Sequence, residues 1–172
     1  MAENTDRFKA VVLPHLDAAY NLARWLTRDI HDAEDVVQDA CVRAIKYIGS
    51  LKGDDARAWF LTIVRNAFYD WCKRNRPMEI VQDDGTAIES AVDPAAVDPY
   101  QAVLRNDESK ALADAVEALP VAYREALILR ELEELSYKEI ARIADIPIGT
   151  VMSRLSRARD LLQRSPVLHA VN

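Results

Sequence analysis

At 172 residues the chain is long enough for one ordinary domain or two small ones, and half of its residues are apolar, enough to form a core. Four glycines and seven scattered prolines favour helices over turn-rich β structure, and two cysteines cannot make a disulfide framework or a zinc site by themselves. No apolar run exceeds four residues, so neither a membrane-spanning helix nor a secretory signal is expected, and a cytoplasmic protein is predicted. The formal charge of −6 is unevenly spread: residues 1–78 carry 12 basic and 11 acidic side chains, residues 79–110 carry 2 and 8, and residues 111–172 carry 8 and 9. Any nucleic acid must therefore be held by local basic faces, because the field of the whole chain repels a polyanion. The free chain is expected to bind DNA weakly.

In chain order, Phe8, Val11 and Val12 begin one apolar helical face that Pro14 interrupts. Leu16, Ala19, Tyr20, Ala23 and Leu26 predict a second helix. A third is expected from near Asp32, with Val36, Val37, Ala40, Cys41, Ala44, Ile45 and Ile48 as its stripe. A loop over 49–55 leads to a fourth helix carrying Trp59, Phe60, Ile63, Val64, Ala67, Phe68, Trp71 and Cys72, with both tryptophans expected to point inward and Pro77 as the stop. Residues 79–100 read as an acidic linker, rich in Asp and punctuated by Pro without sustained periodicity. Beyond it a helix is expected from about Gln101 to Ala118, and another through Tyr123, Ala126, Leu127, Leu129 and Leu132. Ser136 and Glu139 make an S-x-x-E capping box for a short helix through Ile140, Ala141 and Ile143. After a turn at Asp145, Ile146 and Pro147, the last helix buries Ile148, Val151, Leu155, Ala158 and Leu162. The predicted fold is all-α, with two small helical domains over 1–78 and 101–172 joined by the linker.

Three polar faces stand out. A capped short helix, a tight turn and a longer helix have the shape of a helix-turn-helix. The outer face of the longer helix carries Thr150, Ser153, Arg154, Arg157 and Arg164, hydroxyls and guanidiniums that suit phosphates and guanine edges. On the fourth helix Thr62, Arg65, Asn66, Tyr69, Lys73 and Arg76 share an arc of about a quarter to a third of a turn, where cations interleaved with an amide and a ring suit a single strand. On the third, Asp35, Gln38 and Asp39 at i, i+3 and i+4 form one acidic patch, and Asp39 can pair with Arg43. Each face also reads as an ordinary solvated helix surface. Enzyme chemistry has no carrier: His15, His31 and His169 are isolated, no phosphate-binding glycine loop or nucleophile elbow occurs, and Cys41 and Cys72 read as packed thiols. No catalytic, cofactor-binding or metal-ligating residue is assigned.

The combination is more specific than its parts. The run HDAEDVVQDACVRAI over 31–45 followed by AWFLTIVRNAFYDWCKRNRP over 58–77 resembles the second conserved region of bacterial sigma factors. The run ALPVAYREALILRELEELSYKEIARIADIPIGTVMSRLSRARDLL over 118–162 resembles the fourth. Their order, the acidic linker and the small size resemble the extracytoplasmic-function group, which keeps only these two domains. The resemblance implies a factor that binds core RNA polymerase and directs initiation at promoter DNA through minus-ten and minus-thirty-five elements, with an anti-sigma factor as a further partner. It implies that Asp35, Gln38 and Asp39 dock on the polymerase clamp helices. It implies that the loop 50–56, with Ser50, Lys52 and Asp54, joins Asn66 in capturing a flipped base of the minus-ten element, and that Arg65, Tyr69, Lys73 and Arg76 lie along the melted strand. Thr150, Met152, Ser153, Arg154, Ser156 and Arg157 match the reader of the minus-thirty-five element. Met152 stands where many members place a basic residue, and Ser156 where some place an aromatic. The linker would run through the polymerase cleft. Two other readings use some of the same features: a LuxR-type helix-turn-helix regulator with a helical sensing domain, sharing the L-S-x-x-E-I-A run but leaving the N-terminal motifs unexplained, and a helical adaptor that binds only proteins.

Overall fold

Pro14, Asp29 and Asp55 divide the first 76 residues into helices, each for its own chemical reason. The computed structural model describes residues 1–76 and 107–169, so the expected linker and the start of the helix expected from Gln101 lie outside the described residues. Helix α1 (Ala2–Val11) buries Phe8 and closes into a short 3-10 turn at Leu13–His15, where Pro14 has no N–H to continue an α-helical ladder. Helix α2 (Leu16–Thr27) ends at Arg28, which takes a left-handed conformation, φ 60°. Asp29 then caps α3 (Ile30–Tyr47): its carboxylate accepts the backbone N–H groups of His31 and Asp32 at 2.9 and 3.0 Å. The helix therefore starts two residues before Asp32. Asp55 does the same for α4 (Ala56–Asn75), accepting the N–H of Ala58 at 3.2 Å.

Helices α2, α3 and α4 pack on one another, with α1 against α3. The contact faces of α2 and α3 are rich in small residues, Ala19, Ala23, Ala33, Ala40 and Ala44, all buried, so the backbones approach closely. Phe60 and Phe68 from α4 fill the centre. Trp71 is buried as expected and stacks on Phe68 at 6.3 Å between centroids. Trp59 departs from expectation. It is only partly buried, and its indole N–H donates to Ser50 Oγ at 3.3 Å, which moves the ring to the edge of the loop.

In the second half, α5 (Asp107–Glu117), α6 (Val121–Glu131), α7 (Tyr137–Ala144), α8 (Ile148–Gln163) and a closing turn α9 (Pro166–His169) follow in order. The capping box at α7 forms as read: Ser136 Oγ accepts the Glu139 N–H at 3.1 Å, and the Glu139 carboxylate accepts the Ser136 N–H at 3.2 Å. Asp145 turns the chain with φ 54°, and Val151, Leu155 and Ala158 seat α8 on α6 and α7. Leu132 is exposed, because α6 ends at Glu131 and its stripe stops there. The closing turn α9, beside α5, is an element the periodicity does not announce.

The two halves also touch. Helix α6 lies against α2 and α7 against α4, and the buried apolar residues of both halves form one continuous cluster. Helix α6 is buried on every side from Tyr123 to Leu129. The four-residue apolar run 126–129 fits this, since a helix apolar all round must be covered all round.

Candidate nucleic-acid interface

Three surfaces hold the residues singled out from the sequence. On α3, Asp35 and Gln38 are exposed and Asp39 is half-buried. Asp39 pairs with Arg43 at 2.8 Å, one turn on, and Arg43 reaches Asp70 of α4 at 2.7 Å. The carboxylates hold the Arg43 guanidinium above its usual range against the cost of its partial burial. Beside the patch an open groove of about 850 Å³ runs between α2 and α3, with Leu16, Tyr20, Val37 and Val42 on its walls and Asp35, Gln38 and Asp39 on its rim. Burial, then the charge of Glu34, pushes the Tyr20 phenol up. Val42 is 66 % exposed, an apolar side chain next to acidic ones. An apolar floor with a charged rim is the composition of protein–protein interfaces rather than of phosphate sites.

The loop before α4 is tied at both ends and open in the middle. Ser50 Oγ donates to Tyr47 O at 2.7 Å, and Arg7 donates to Leu51 O at 3.1 Å. Gly53 takes φ +73°, a conformation that side chains other than glycine adopt at a cost, and Lys52 and Asp54 flank it in solvent. On α4 the predicted arc divides. Asn66 and Lys73 are exposed. Arg76 instead folds back: it donates to Asp32 at 2.7 Å and to Thr27 O at 2.9 Å, and lies 4.9 Å from the Trp71 ring. Burial, then the charge of Asp29, raises the Asp32 carboxyl, against the pull of Arg76. Thr62 turns its hydroxyl to its own helix, donating to Ala58 O at 2.8 Å.

Arg65 and Tyr69 sit under α6. The Arg65 guanidinium pairs with the Glu125 carboxylate, Tyr69 donates its hydroxyl to the same group at 3.2 Å, and Arg65 also covers the Tyr69 ring at 4.5 Å. Burial raises the Glu125 carboxyl, opposed by the charges of Arg65 and Arg154, and burial with the neighbouring Glu125 drives the Tyr69 phenol far up, so that it stays protonated as a donor.

On α8, Met152, Ser153, Ser156 and Arg157 are exposed, and Thr150 and Arg154 are half-buried. Ser153 Oγ donates to Thr150 O at 3.0 Å, and Arg157 reaches the Tyr123 hydroxyl at 3.3 Å. Val151, Leu155 and Ala158 are packed, whereas Ile148, expected among them, is exposed because it opens the helix beyond the core; Met152, Ser153, Ser156 and Arg157 line an outward strip, the arrangement a helix needs to enter a major groove.

Sequence reasoning missed Arg124 and Glu125. Both are fully buried, on a helix read only for its apolar positions. Arg124 donates to Glu117 O at 3.0 Å, Leu119 O at 2.7 Å and Leu26 O at 3.0 Å, closing the carboxyl end of α5 and joining it to α2. Glu117 completes the group with Arg24 at 3.5 Å, and burial holds its carboxyl above the usual range. The signal was available in the helix buried all round: charged residues inside such a stretch must find partners.

Among the described residues no cluster of three or more His, Cys, Asp or Glu side chains could hold a metal ion, and no helix is long and apolar enough to cross a membrane.

Residues 11–77 match the family described as Sigma-70 region 2, and residues 109–162 the one described as Sigma-70, region 4. The ECF RNA polymerase sigma factor SigW of Bacillus subtilis is 30% identical over 165 residues, 92% of this chain and 88% of that protein. The ECF RNA polymerase sigma-E factor of Haemophilus influenzae is 34% identical over 148 residues, 83% of this chain and 77% of that one. Among solved structures, the sigma factor RpoE of Bartonella quintana, in complex with the anti-sigma factor NepR, aligns with a TM-score of 0.65 and 38% identity, covering 91% of this chain and 94% of that chain. CnrH in complex with the cytosolic domain of CnrY aligns with a TM-score of 0.64 and 25% identity, covering 91% and 84%.

Proposed function

Because this chain belongs to the extracytoplasmic-function sigma factors and so directs promoter-specific transcription initiation, we propose how its three surfaces divide that work. The acidic patch Asp35, Gln38 and Asp39, with the groove beside it, docks on core RNA polymerase. The loop residues Ser50, Lys52 and Asp54 and the α4 residues Arg65, Asn66, Tyr69, Lys73 and Arg76 handle the minus-ten element. Thr150, Met152, Ser153, Arg154, Ser156 and Arg157 on α8 read the minus-thirty-five element. The domain limits are 1–78 and 101–172, the protein works in the cytoplasm, and it acts by binding rather than by catalysis. An anti-sigma factor is its regulatory partner, as for the sigma factors solved with NepR and CnrY.

The observation that carries this reading is the pairing, in one chain, of a left-handed glycine loop leading into a helix that exposes an amide and a lysine with a separate outward strip of hydroxyls and an arginine on α8. Capturing an extruded base requires a loop that yields and hydrogen-bonding groups near it; Gly53 supplies the first, and Ser50, Lys52 and Asp54 in the loop with Asn66 on the following helix are assigned the second. Reading duplex requires a helix whose polar side is free of the core, which α8 supplies. Neither surface has the charge to hold DNA alone in a chain of net −6, so polymerase must supply the remaining affinity and fix the spacing. The LuxR-type reading uses only the second of these surfaces, and the adaptor reading uses neither.

Transcription by core polymerase plus this protein on a promoter library tests the proposal. Selective initiation at templates sharing an upstream and a downstream element supports it. Initiation no different from core polymerase alone removes it.

A further inference from the structure

Arg7 lies on α1, outside the residues 11–77 that match the Sigma-70 region 2 family, yet it is bonded to the loop assigned to the minus-ten element. Helix α1 packs against α3 and against the 3-10 turn Ile48–Ser50 that opens this loop. Phe8 is buried and fixes the helix to the core, while Arg7, the residue before it, stays at the surface. From there its guanidinium donates to Leu51 O at 3.1 Å.

The bond sits where the loop leaves the core. The Leu51 side chain is buried, so this residue is anchored on its inner side as well. Its carbonyl belongs to the peptide plane that continues into Lys52, and a planar peptide held at its oxygen is held as a whole. A guanidinium donor makes the bond charge-assisted, about twice as strong as a neutral one. One residue earlier, Ser50 Oγ accepts the Trp59 indole N–H of α4 at 3.3 Å and donates to Tyr47 O at 2.7 Å. At the far end the Asp55 carboxylate accepts the Ala58 N–H at 3.2 Å. Lys52, Gly53 and Asp54 therefore span two fixed ends, exposed throughout, with Gly53 at φ +73°. Only φ and ψ are soft, so a span this short has few ways to join fixed ends. The orientation of the entry peptide then decides where the tip of the loop stands.

We propose that Arg7 is a positioning residue for base capture: acting through the Leu51 carbonyl, it sets where Lys52, Gly53 and Asp54 stand, and so which base the minus-ten loop accepts. The proposal rests on the assignment of the loop 50–56 to the minus-ten element given above. It gives α1 a part in promoter choice. A phosphate contact by the same exposed cation leaves a different mark, because it weakens all sequences alike and contributes about one unit to the salt slope.

The test uses holoenzyme assembled from core polymerase and the full chain, carrying Arg7→Ala, Arg7→Lys or, alongside, an exchanged loop 50–56. Open-complex formation is compared on templates that differ at single positions of the minus-ten and minus-thirty-five elements, at several salt concentrations. Arg7→Ala should lower the preference for the favoured base at the captured position about fivefold, the loss expected when one hydrogen bond of ordinary net strength no longer holds the loop. Preference at the minus-thirty-five element, salt slope and affinity for core polymerase should stay as in wild type. Arg7→Lys should keep at least half of the wild-type preference, since an ammonium still donates to a carbonyl. Should Arg7→Ala lose helical circular dichroism, Arg7→Met, which keeps the aliphatic stem, is scored in its place. Equal weakening on every template with a lower salt slope overturns positioning in favour of a phosphate contact. A Lys variant no better than Ala also overturns it. If the exchanged loop changes base preference and Arg7→Ala does not, the positioning role falls and the assignment of the loop stands. If neither changes it, the assignment of the loop fails and the proposal with it.

Discussion

Replacing Asp35, Gln38 and Asp39 together by Ala separates docking from folding. Asp35 and Gln38 are exposed on α3. Asp39 pairs with Arg43 at 2.8 Å, a half-exposed i, i+4 pair worth about 0.3–0.5 kcal/mol. Arg43 keeps its second partner, Asp70 at 2.7 Å, so losing Asp39 strands no buried charge. Ala is the better helix former, by up to about 0.7 kcal/mol per replaced residue. These small terms oppose one another, so stability should change by less than about 1 kcal/mol, and Tm by no more than about 4–8 °C. At the polymerase surface the three side chains lose contacts worth about 1 kcal/mol or more each, which predicts at least a tenfold and up to about a hundredfold weaker complex. Anisotropy titration of labelled protein with core polymerase reads the affinity, and a thermal melt by circular dichroism reads the fold. Affinity within twofold of wild type refutes the docking role. A collapsed melt shows that the patch serves the fold and refutes the reasoning just as directly.

Arg124→Met keeps the aliphatic stem but removes the guanidinium from three carbonyls, at 2.7 to 3.0 Å, and should cost about 3–5 kcal/mol in urea denaturation; a loss under about 1 kcal/mol would mean the carbonyls find other donors. Asn66→Ala, or exchange of the loop 50–56, should change base preference within the minus-ten element in open-complex assays while polymerase binding persists; indifference to both moves the melting role elsewhere. Arg157→Ala and Arg154→Ala in holoenzyme should each give one of two signatures. A base contact costs about 1–3 kcal/mol and relaxes preference at one base pair, whereas a phosphate contact weakens all sequences and lowers the salt slope by about one. Ser156→Ala should lose less, and silence at both arginines would leave α8 as a plain hairpin helix.

Periodicity and capping chemistry carried most of the helices. The S-x-x-E box predicted the start of α7, and Asp39 pairs with Arg43 as its spacing allows. The early start of α3 was also written in the chain, because Asp29 is a better cap than a first-turn Asp32, but the apolar stripe alone does not register it. The join between the halves was not legible. Arg65 and Glu125 are 60 positions apart, and no local period links residues that meet only when two domains close. The arc on α4 correctly grouped Arg65 with Tyr69, while Asn66 faces solvent and Arg76 folds back, because a helical wheel gives the direction of a side chain and not its occupant. Arg124 and Glu125 were overlooked for a related reason: polar residues in an amphipathic helix are assumed to face water, and α6 has no face that does between Tyr123 and Leu129.

The central claim is that this chain converts core polymerase into a promoter-selective enzyme through two separate DNA-reading surfaces. Transcription of a randomised promoter library by core polymerase with saturating protein, followed by sequencing of the products and their templates, tests it most directly. The expected result is enriched templates with two short shared blocks about 25 base pairs apart, centred near minus ten and minus thirty-five, and loss of preference in only the upstream block when Arg154 and Arg157 are both replaced by Ala. Transcripts distributed as with core polymerase alone, or a single shared block untouched by those substitutions, would contradict it.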